Sequence, residues 1–416
     1  MINYGIVGVG GFAATWVRSL RALEARGIAR VAAFVERDRV GKAEAIAALE
    51  ARGITQYDTF DEMLAQGVGH LDVIGLPVGI AYHEPLTVEA LEHGYNVHVE
   101  KPLAGTVQDV AHISAVAQRA DRWVTVGYQW IHSPTTRWLC ERLRSGRLGR
   151  IQEARTVISW PRASSYYGRN AWAGQLRSSG KWILDGPATN ATAHYMTNLL
   201  YLVSQANDAP AEIASVRGEM YRAKPIPSYD TSCIEMRMAT GERLLHLVSH
   251  ACTETKSPHS TVICEKGTVL WDCEGDVATI AYASGETEQF ASPDPEALHG
   301  LPFAQIAQVV AGQAPRPLCG IAEAAPQVLA INLAFESSVG VFQVPSEYVE
   351  THTYADGSPH RAIRGMSDIL GRAYESGRMF SEMDLPWAMR TEPISAEGYE
   401  HFPSNAELAQ YLESQA

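Results

Sequence analysis

The chain opens on a short apolar run, Ile2-Asn3-Tyr4-Gly5-Ile6-Val7, that meets glycines at once and predicts a β-strand. Strand-like and helix-like stretches then alternate. The pattern predicts a helix over 14–26, a strand over 30–35, a strand over 71–76, a helix over 83–93, a strand over 96–100, a helix over 106–120 and a strand over 123–126. Such alternation points to a doubly wound parallel sheet of the Rossmann kind. After residue 127 the pattern changes: 150–160, 212–221, 232–239, 243–251 and 277–282 read as strands with few helices between them, which favours antiparallel pairing. The exception is 183–204, where Ala188, Ala191, Tyr195, Leu199 and Leu202 make one apolar stripe and Asn190 and His194, four apart, share a face. In 243–251, Leu244, His246, Val248 and His250 alternate to one side, read as an ordinary solvated face in preference to a ligand-binding one. The tail predicts helices over 319–336 and 361–374 and a surface turn at Pro386-Trp387, with no chemistry assigned. The fold class is therefore α/β plus α+β, with a Rossmann domain over 1–126 and a second domain over 127–416 that carries an extension from about 341.

Chemistry gathers at the carboxyl ends of the parallel strands, where such sheets bind ligands. Gly8-Val9-Gly10-Gly11-Phe12-Ala13 stands between the first strand and the first helix. Gly8 permits the tight turn, Gly10 lets a pyrophosphate approach the backbone, Ala13 allows close helix packing, and the helix N-terminus offers N–H donors. Glu36 closes the second strand where an acid meets ribose hydroxyls and favours NAD, while Arg37 beside it keeps NADP open through a 2'-phosphate. Leu76, Pro77 and His83 follow the third clear strand; His83 is read equally as a helix cap and as a cofactor contact. Val97-His98-Val99-Glu100-Lys101-Pro102 then delivers a lysine to the same edge, where burying charges for packing alone is costly.

These residues, with Gly127-Tyr128-Gln129 ahead of Pro134, resemble the glucose-fructose oxidoreductase and inositol dehydrogenase (Gfo/Idh/MocA) family over the first third of the chain. The resemblance implies a second domain on a large, open, mainly antiparallel sheet, a homodimer or homotetramer, and hydride transfer at a carbohydrate or cyclitol carbon. It also implies cofactor contacts from Gly11, Phe12, Glu100, Lys101 and Gln129. In the family an Asp followed four positions later by a His stands beside the motif lysine, the His taking the alcohol proton. Here Asp185 is present but the fourth position is Thr189, which cannot act as a base at neutral pH. The proton acceptor is then either Lys101 or His194, with Asn190 beside it, although Asp185 and His194 would lie on opposite faces of an unbroken helix.

The best substrate candidates sit after the strand at 150–160: Trp160, Arg162, Tyr166, Tyr167, Arg169 and Trp172, joined by Tyr128, Lys101 and Asp185. Aromatic faces suit sugar C–H groups, and arginine donates to hydroxyls. Aromatic packing or an oligomer contact is an equal reading.

Composition narrows the class. The 416 residues carry 34 Lys and Arg against 47 Asp and Glu, a formal charge of −13 that opposes binding to nucleic acid. No stretch offers the roughly 20 apolar residues of a membrane span, and the chain begins directly in a strand, so a cytoplasmic protein is expected. Six scattered cysteines show no zinc or C-x-x-C spacing and read as reduced thiols, with no metal expected. The expected activity is that of an NAD(P)-dependent sugar or polyol dehydrogenase. A redox-neutral glycoside-cleaving enzyme with retained NAD and a non-enzymatic dinucleotide-binding regulator are the alternatives.

Overall fold

The computed structural model describes residues 1–354 and 356–415. It divides into two units, Met1–Ala104 with Gln108–Ser133 and Asp294–Ala324, and Gly105–Val107 with Pro134–Pro293 and Ala325–Ala416. A boundary drawn along the chain at 126 thus omits the return of 294–324 to the first unit.

In the first unit β1 (Ile2–Val7), α1 (Ala13–Glu24), β2 (Ala29–Val35), α2 (Ala43–Glu50), β3 (Thr55–Tyr57), α3 (Phe60–Gln66), β4 (Val73–Leu76), α4 (His83–Glu92), β5 (Asn96–Val99), α5 (Val107–Ala120) and β6 (Val124–Val126) follow one another. The six strands lie in the order β3-β2-β1-β4-β5-β6, with every pair parallel. Strand order reverses between β1 and β4, which is where a doubly wound sheet opens its ligand crevice. Tyr4, Ile6, Trp16, Leu20, Phe34 and Val73 form the core, closed by Phe303 and Ile306 from the returning segment. The sequence pattern did not announce α2, β3 or α3, because β3 is only Thr-Gln-Tyr and offers no apolar run.

In the second unit, α6 (Pro134–Arg144) and β7 (Ile151–Ser159) precede α7 (Ser164–Tyr167) and a small hairpin of β8 (Arg177–Ser178) and β9 (Lys181–Trp182). A π-helical turn (Pro187–Ala191) and α8 (Ala193–Asn207) lead to β10 (Ile213–Arg222), β11 (Thr231–Met238), β12 (Arg243–Ser249), β13 (Lys256–Cys264), β14 (Gly267–Asp272), β15 (Val277–Tyr282) and β16 (Thr287–Ala291). After α9 (Leu301–Val310), which lies in the first unit, come α10 (Ile321–Ser338), β17 (Phe342–Gln343), β18 (Val349–Thr353), β19 (Pro359–Ile363), α11 (Met366–Ser376), β20 (Ile394–Ser395) and α12 (Ala406–Gln415). The sheet runs β16-β15-β14-β13-β7-β12-β11-β10-β17 with β20 on β10. Its pairs are antiparallel except β7 with β12 and β10 with β17. The expected pairing of a Rossmann sheet with a large, mainly antiparallel sheet is what the chain adopts.

Helices cover both faces of this second sheet. Leu245 and Leu247 pack under α11 with Ile369 and Leu370, so the alternate residues of β12 point the other way. There α8 lies on β7 and the π turn on β11 and β12. His246 and His250 are therefore fully buried, and the expectation of a solvated face is wrong. Two further readings are corrected. Residues 361–363 belong to β19, paired with β18, and Gly365 at φ +70° breaks the chain before α11 begins. Trp387 does not sit on a surface turn: its ring packs edge-on to Tyr221 at 5.1 Å and is buried.

β10 and α10 touch backbone to backbone at Gly218, where an added β-carbon would lie 2.5 Å from the Cα of Ala334. Neither partner is a flexible side chain that can swing away. Gly218→Ala is expected to cost about 1–3 kcal/mol by overpacking, read as a lower urea midpoint at constant m-value. An unchanged midpoint would show that α10 can slide off the sheet.

Candidate active site

The first unit builds its site from the glycine turn. Gly8 (φ +89°) and Gly11 (φ +57°) adopt left-handed conformations that side chains avoid. The N–H of Gly8 donates to Val35 O at 2.8 Å, which ties the turn to the end of β2. Glu36 completes the tie, its carboxylate accepting from Val9 N at 2.9 Å and Asp38 N at 2.8 Å. Ala13, fully buried, starts α1, whose first N–H groups close onto the turn, Ala13 N on Gly10 O at 3.1 Å and Ala14 N on Gly11 O at 3.3 Å, while Phe12 projects outward. Arg37 is exposed. The sequence reading missed Lys42, which lies along Gly10: a β-carbon there would meet Lys42 Cε at 2.3 Å. Gly10 thus keeps a cation folded against the phosphate-type turn, and nothing in the local pattern around Lys42 signalled it. A backbone cradle with α1 behind it and a cation over it fits a dinucleotide pyrophosphate.

The lysine is set by a buried carboxylate. At the end of β5, Glu100 accepts from Trp16 Nε1 at 2.8 Å and from Lys101 N at 3.1 Å. Gly127, just after β6, makes room for it, since a β-carbon there would sit 2.8 Å from Glu100 Oε1. Burial raises the Glu100 pKa and the Lys101 charge opposes that rise. Glu100 therefore positions the lysine and α1; its oxygens are committed inside the domain. Glu100 and Gln129 share a small cleft with Phe12, Thr15, Trp16 and His299.

Lys101 is half-buried, close enough to His83 and Glu100 for its charge to act on both. Its peptide bond to Pro102 is cis. Both ring nitrogens of His83 face backbone carbonyls, Nδ1 to Pro102 O at 2.7 Å and Nε2 to Val78 O at 3.1 Å. A neutral imidazole has one N–H, and the shorter contact assigns it to Nδ1. His83 thus clamps the segment after Lys101. Leu76 and Pro77, at the end of β4, are buried, as is the ring of Tyr128, which belongs to the core.

The second unit gathers the aromatic loop. Trp160 N and Arg162 N donate to Ser249 O and His250 O, both at 3.1 Å, so the loop runs on beside the end of β12. Tyr167 OH lies 3.0 Å from His250 Nδ1. The Arg169 guanidinium stacks 3.7 Å from the Tyr166 centroid and reaches Trp172 at 5.5 Å, and Arg162 lies over Tyr166 and Trp160. All six residues named from the sequence therefore form one cluster.

Asp185 is buried and accepts from Gly174 N at 2.7 Å and Asn190 Nδ2 at 2.9 Å. No continuous helix joins it to His194. Thr192 N donates to Pro187 O five residues back, making a π turn, and α8 starts only at Ala193. The face shared by Asn190 and His194 therefore does not exist, and the opposite-faces argument for Asp185 and His194 lapses. His194 is buried in the first turn of α8. Thr189, at the position where a His was expected, pairs its hydroxyl with Tyr229 OH at 2.7 Å. Tyr229, the second residue missed, packs on Gly186, where a β-carbon would lie 2.3 Å from its ring.

Residues 2–128 match the family described as Oxidoreductase family, NAD-binding Rossmann fold. The chain is 28% identical over 125 residues to the putative oxidoreductase YteT of Bacillus subtilis, a match covering 30% of this chain and 28% of that protein. It is 28% identical over 160 residues to the dTDP-3,4-didehydro-2,6-dideoxy-alpha-D-glucose 3-reductase of Saccharopolyspora spinosa, covering 38% and 46%. Both matches span less than half of the relative. The fold extends further: the WlbA dehydrogenase of Bordetella pertussis, solved with NADH and UDP-GlcNAcA, superposes with a TM-score of 0.65 at 22% identity over 81% of this chain and 96% of that one.

Burial lowers the pKa of His83 to about 4, so the folded protein keeps it neutral while the unfolded chain protonates near 6.5. Its stabilising contribution is full above pH 6.5 and lost as pH falls towards 4. Between pH 7 and 4 the wild type should lose about 3 kcal/mol more unfolding free energy than His83→Gln, measured by urea titration. Parallel pH curves would show the ring protonating freely in the fold.

Proposed function

We propose, for a chain whose residues 2–128 match the Gfo/Idh/MocA oxidoreductase family, that the protein is an NAD-dependent dehydrogenase. It would move a hydride between the cofactor and a secondary alcohol of a sugar, glycoside or cyclitol. The observation that carries this reading is Lys101 at the carboxyl end of β5, its backbone fixed by Glu100 on one side and by the His83 clamp on the other. The Saccharopolyspora relative is named for a keto-sugar reduction and the WlbA structure holds NADH with a nucleotide sugar, which supports both halves of the proposal.

NAD, when bound, supplies the acceptor for the hydride. The turn from Gly8 to Ala13 with Lys42 would hold its pyrophosphate, and Glu36 its ribose hydroxyls; the Glu36 carboxylate disfavours a 2'-phosphate by charge. Lys101, as the neutral amine, takes the substrate hydroxyl proton at Nζ during oxidation and returns it during reduction. Thr189 cannot do so, because its hydroxyl is a neutral group already paired with Tyr229. Asp185 accepts from Gly174 N and Asn190 Nδ2 and acts as a positioning group. The aromatic loop would take the sugar. All six cysteines are unpaired and buried, and among the described residues no helix is long and apolar enough to cross a membrane. The free thiols fit our reading of a cytoplasmic protein.

Lys101→Ala is expected to lower kcat by about 10²–10⁴-fold, the usual worth of a general base, with NAD affinity changed by less than about threefold in a calorimetric titration. Full NADH production by that variant would end the proposal. Glu36→Ser is expected to raise the NADP to NAD ratio of kcat/KM by about tenfold, since a buried like charge costs at least that much. An unmoved ratio would remove Glu36 from cofactor choice.

A further inference from the structure

Two arginines of the second unit share one aromatic ring with no carboxylate in ion-pair reach among the described residues. The guanidinium carbons of Arg169 and Arg162 lie 3.7 and 5.0 Å from the centroid of Tyr166. Among the described residues neither is within ion-pair distance of a carboxylate. Arg169 donates to Tyr166 O at 2.6 Å, and the buried Nε of Arg162 has no partner. Other ring-stacked arginines are treated differently: Arg142 over Trp138 and Arg147 over Tyr282 both pair with Glu288. A single exposed cation such as Arg177 over Trp182 costs little, but two that crowd one ring repel each other and gain only part of this back from its face.

Nearby groups add positive charge. Lys224 is buried with its ammonium on His360 Nδ1 and Arg361 O, and its charge and both guanidinium charges reach His250. The acids nearby balance charge without pairing directly with either guanidinium: Asp230 offsets Lys224, Asp185 acts on the rings of Tyr166 and Tyr167, and the exposed Glu274 feels the Arg162 charge, but among the described residues none lies within ion-pair distance of Arg162 or Arg169.

We infer that the loop binds a sugar carrying an oxyanion, a carboxylate or a phosphate, held by Arg162 and Arg169 while the aromatic rings take the apolar face of the ring. Guanidinium matches such groups with paired donors, and an anion would supply the missing partner of Arg162 Nε and relieve the repulsion. This rests on the reading of the loop as the substrate surface and narrows it from sugars in general to acidic ones.

The test is a calorimetric titration of the NADH-loaded protein with D-glucuronate, D-glucose 6-phosphate and D-glucose. At least one acid should bind about tenfold or more tightly than glucose. Arg162→Gln with Arg169→Gln should bring that ratio to within about threefold, and Arg169→Lys alone should keep most of it, because charge remains. Which acid binds separates carboxylate from phosphate. Glucose binding as tightly as both acids, no binding of any of the three, or a preference that survives in the double variant each overturns the inference. Should the double variant fail to fold, the wild-type comparison still decides. Tight binding of an acid without NADH formation from NAD would keep this inference and sink the dehydrogenase reading.

Discussion

A carboxylate buried inside the first unit organises everything that the site can do there. Glu100 would be expensive at this depth without partners, and it has them from two elements at once, the indole of Trp16 on α1 and the N–H of Lys101 beyond β5. One group thereby couples the helix behind the glycine turn to the backbone of the residue proposed to handle the proton. The absence of a side chain at Gly127 is what makes the arrangement possible. The Glu-Lys-Pro strand end and the later Gly-Tyr-Gln are parts of one constraint: a charge, the space for it and the lysine it orients.

The same economy holds on the other side of Lys101. His83 commits its one N–H, on Nδ1, to the carbonyl of Pro102, and its other ring nitrogen lies against Val78 O. Kept neutral by burial, it behaves as a rigid peg between the loop after β4 and Pro102. A proton-transfer group gains from such fixing, since misplacement by about 1 Å can cost 10²-fold in rate. In the second unit, Asp185 works in this way too: it closes the turn at Gly174 and gathers Asn190, and in doing so it shapes the loop that carries the arginines and aromatic rings.

Several readings failed where the partner lay far along the chain. The histidines of β12 alternate as a polar face should, yet the π turn and α8, some fifty residues earlier, cover that face. Trp387 follows a proline, a turn signal, and its burial depends on Tyr221, more than 160 residues earlier on β10. Asn190 and His194 looked like neighbours on a helix because helical period was the only guide; five-residue hydrogen bonding after Pro187 changed the spacing. Lys42 was invisible for a different reason, in that a long flexible side chain can lie anywhere within its reach.

By itself the sequence determined the parallel sheet, the glycine turn, the acid at the end of β2 and the delivery of Lys101 to the ligand edge. These follow from local apolar runs, backbone freedom at glycine and the rule that such sheets work at their carboxyl ends. Only the tertiary structure decided that Glu100 and His83 serve the lysine, that Thr189 is tied to Tyr229, and that Arg162 and Arg169 share the ring of Tyr166 with no carboxylate in ion-pair reach among the described residues. Those outcomes depend on which distant groups share a small buried volume, and no period or spacing along a single chain encodes that distance.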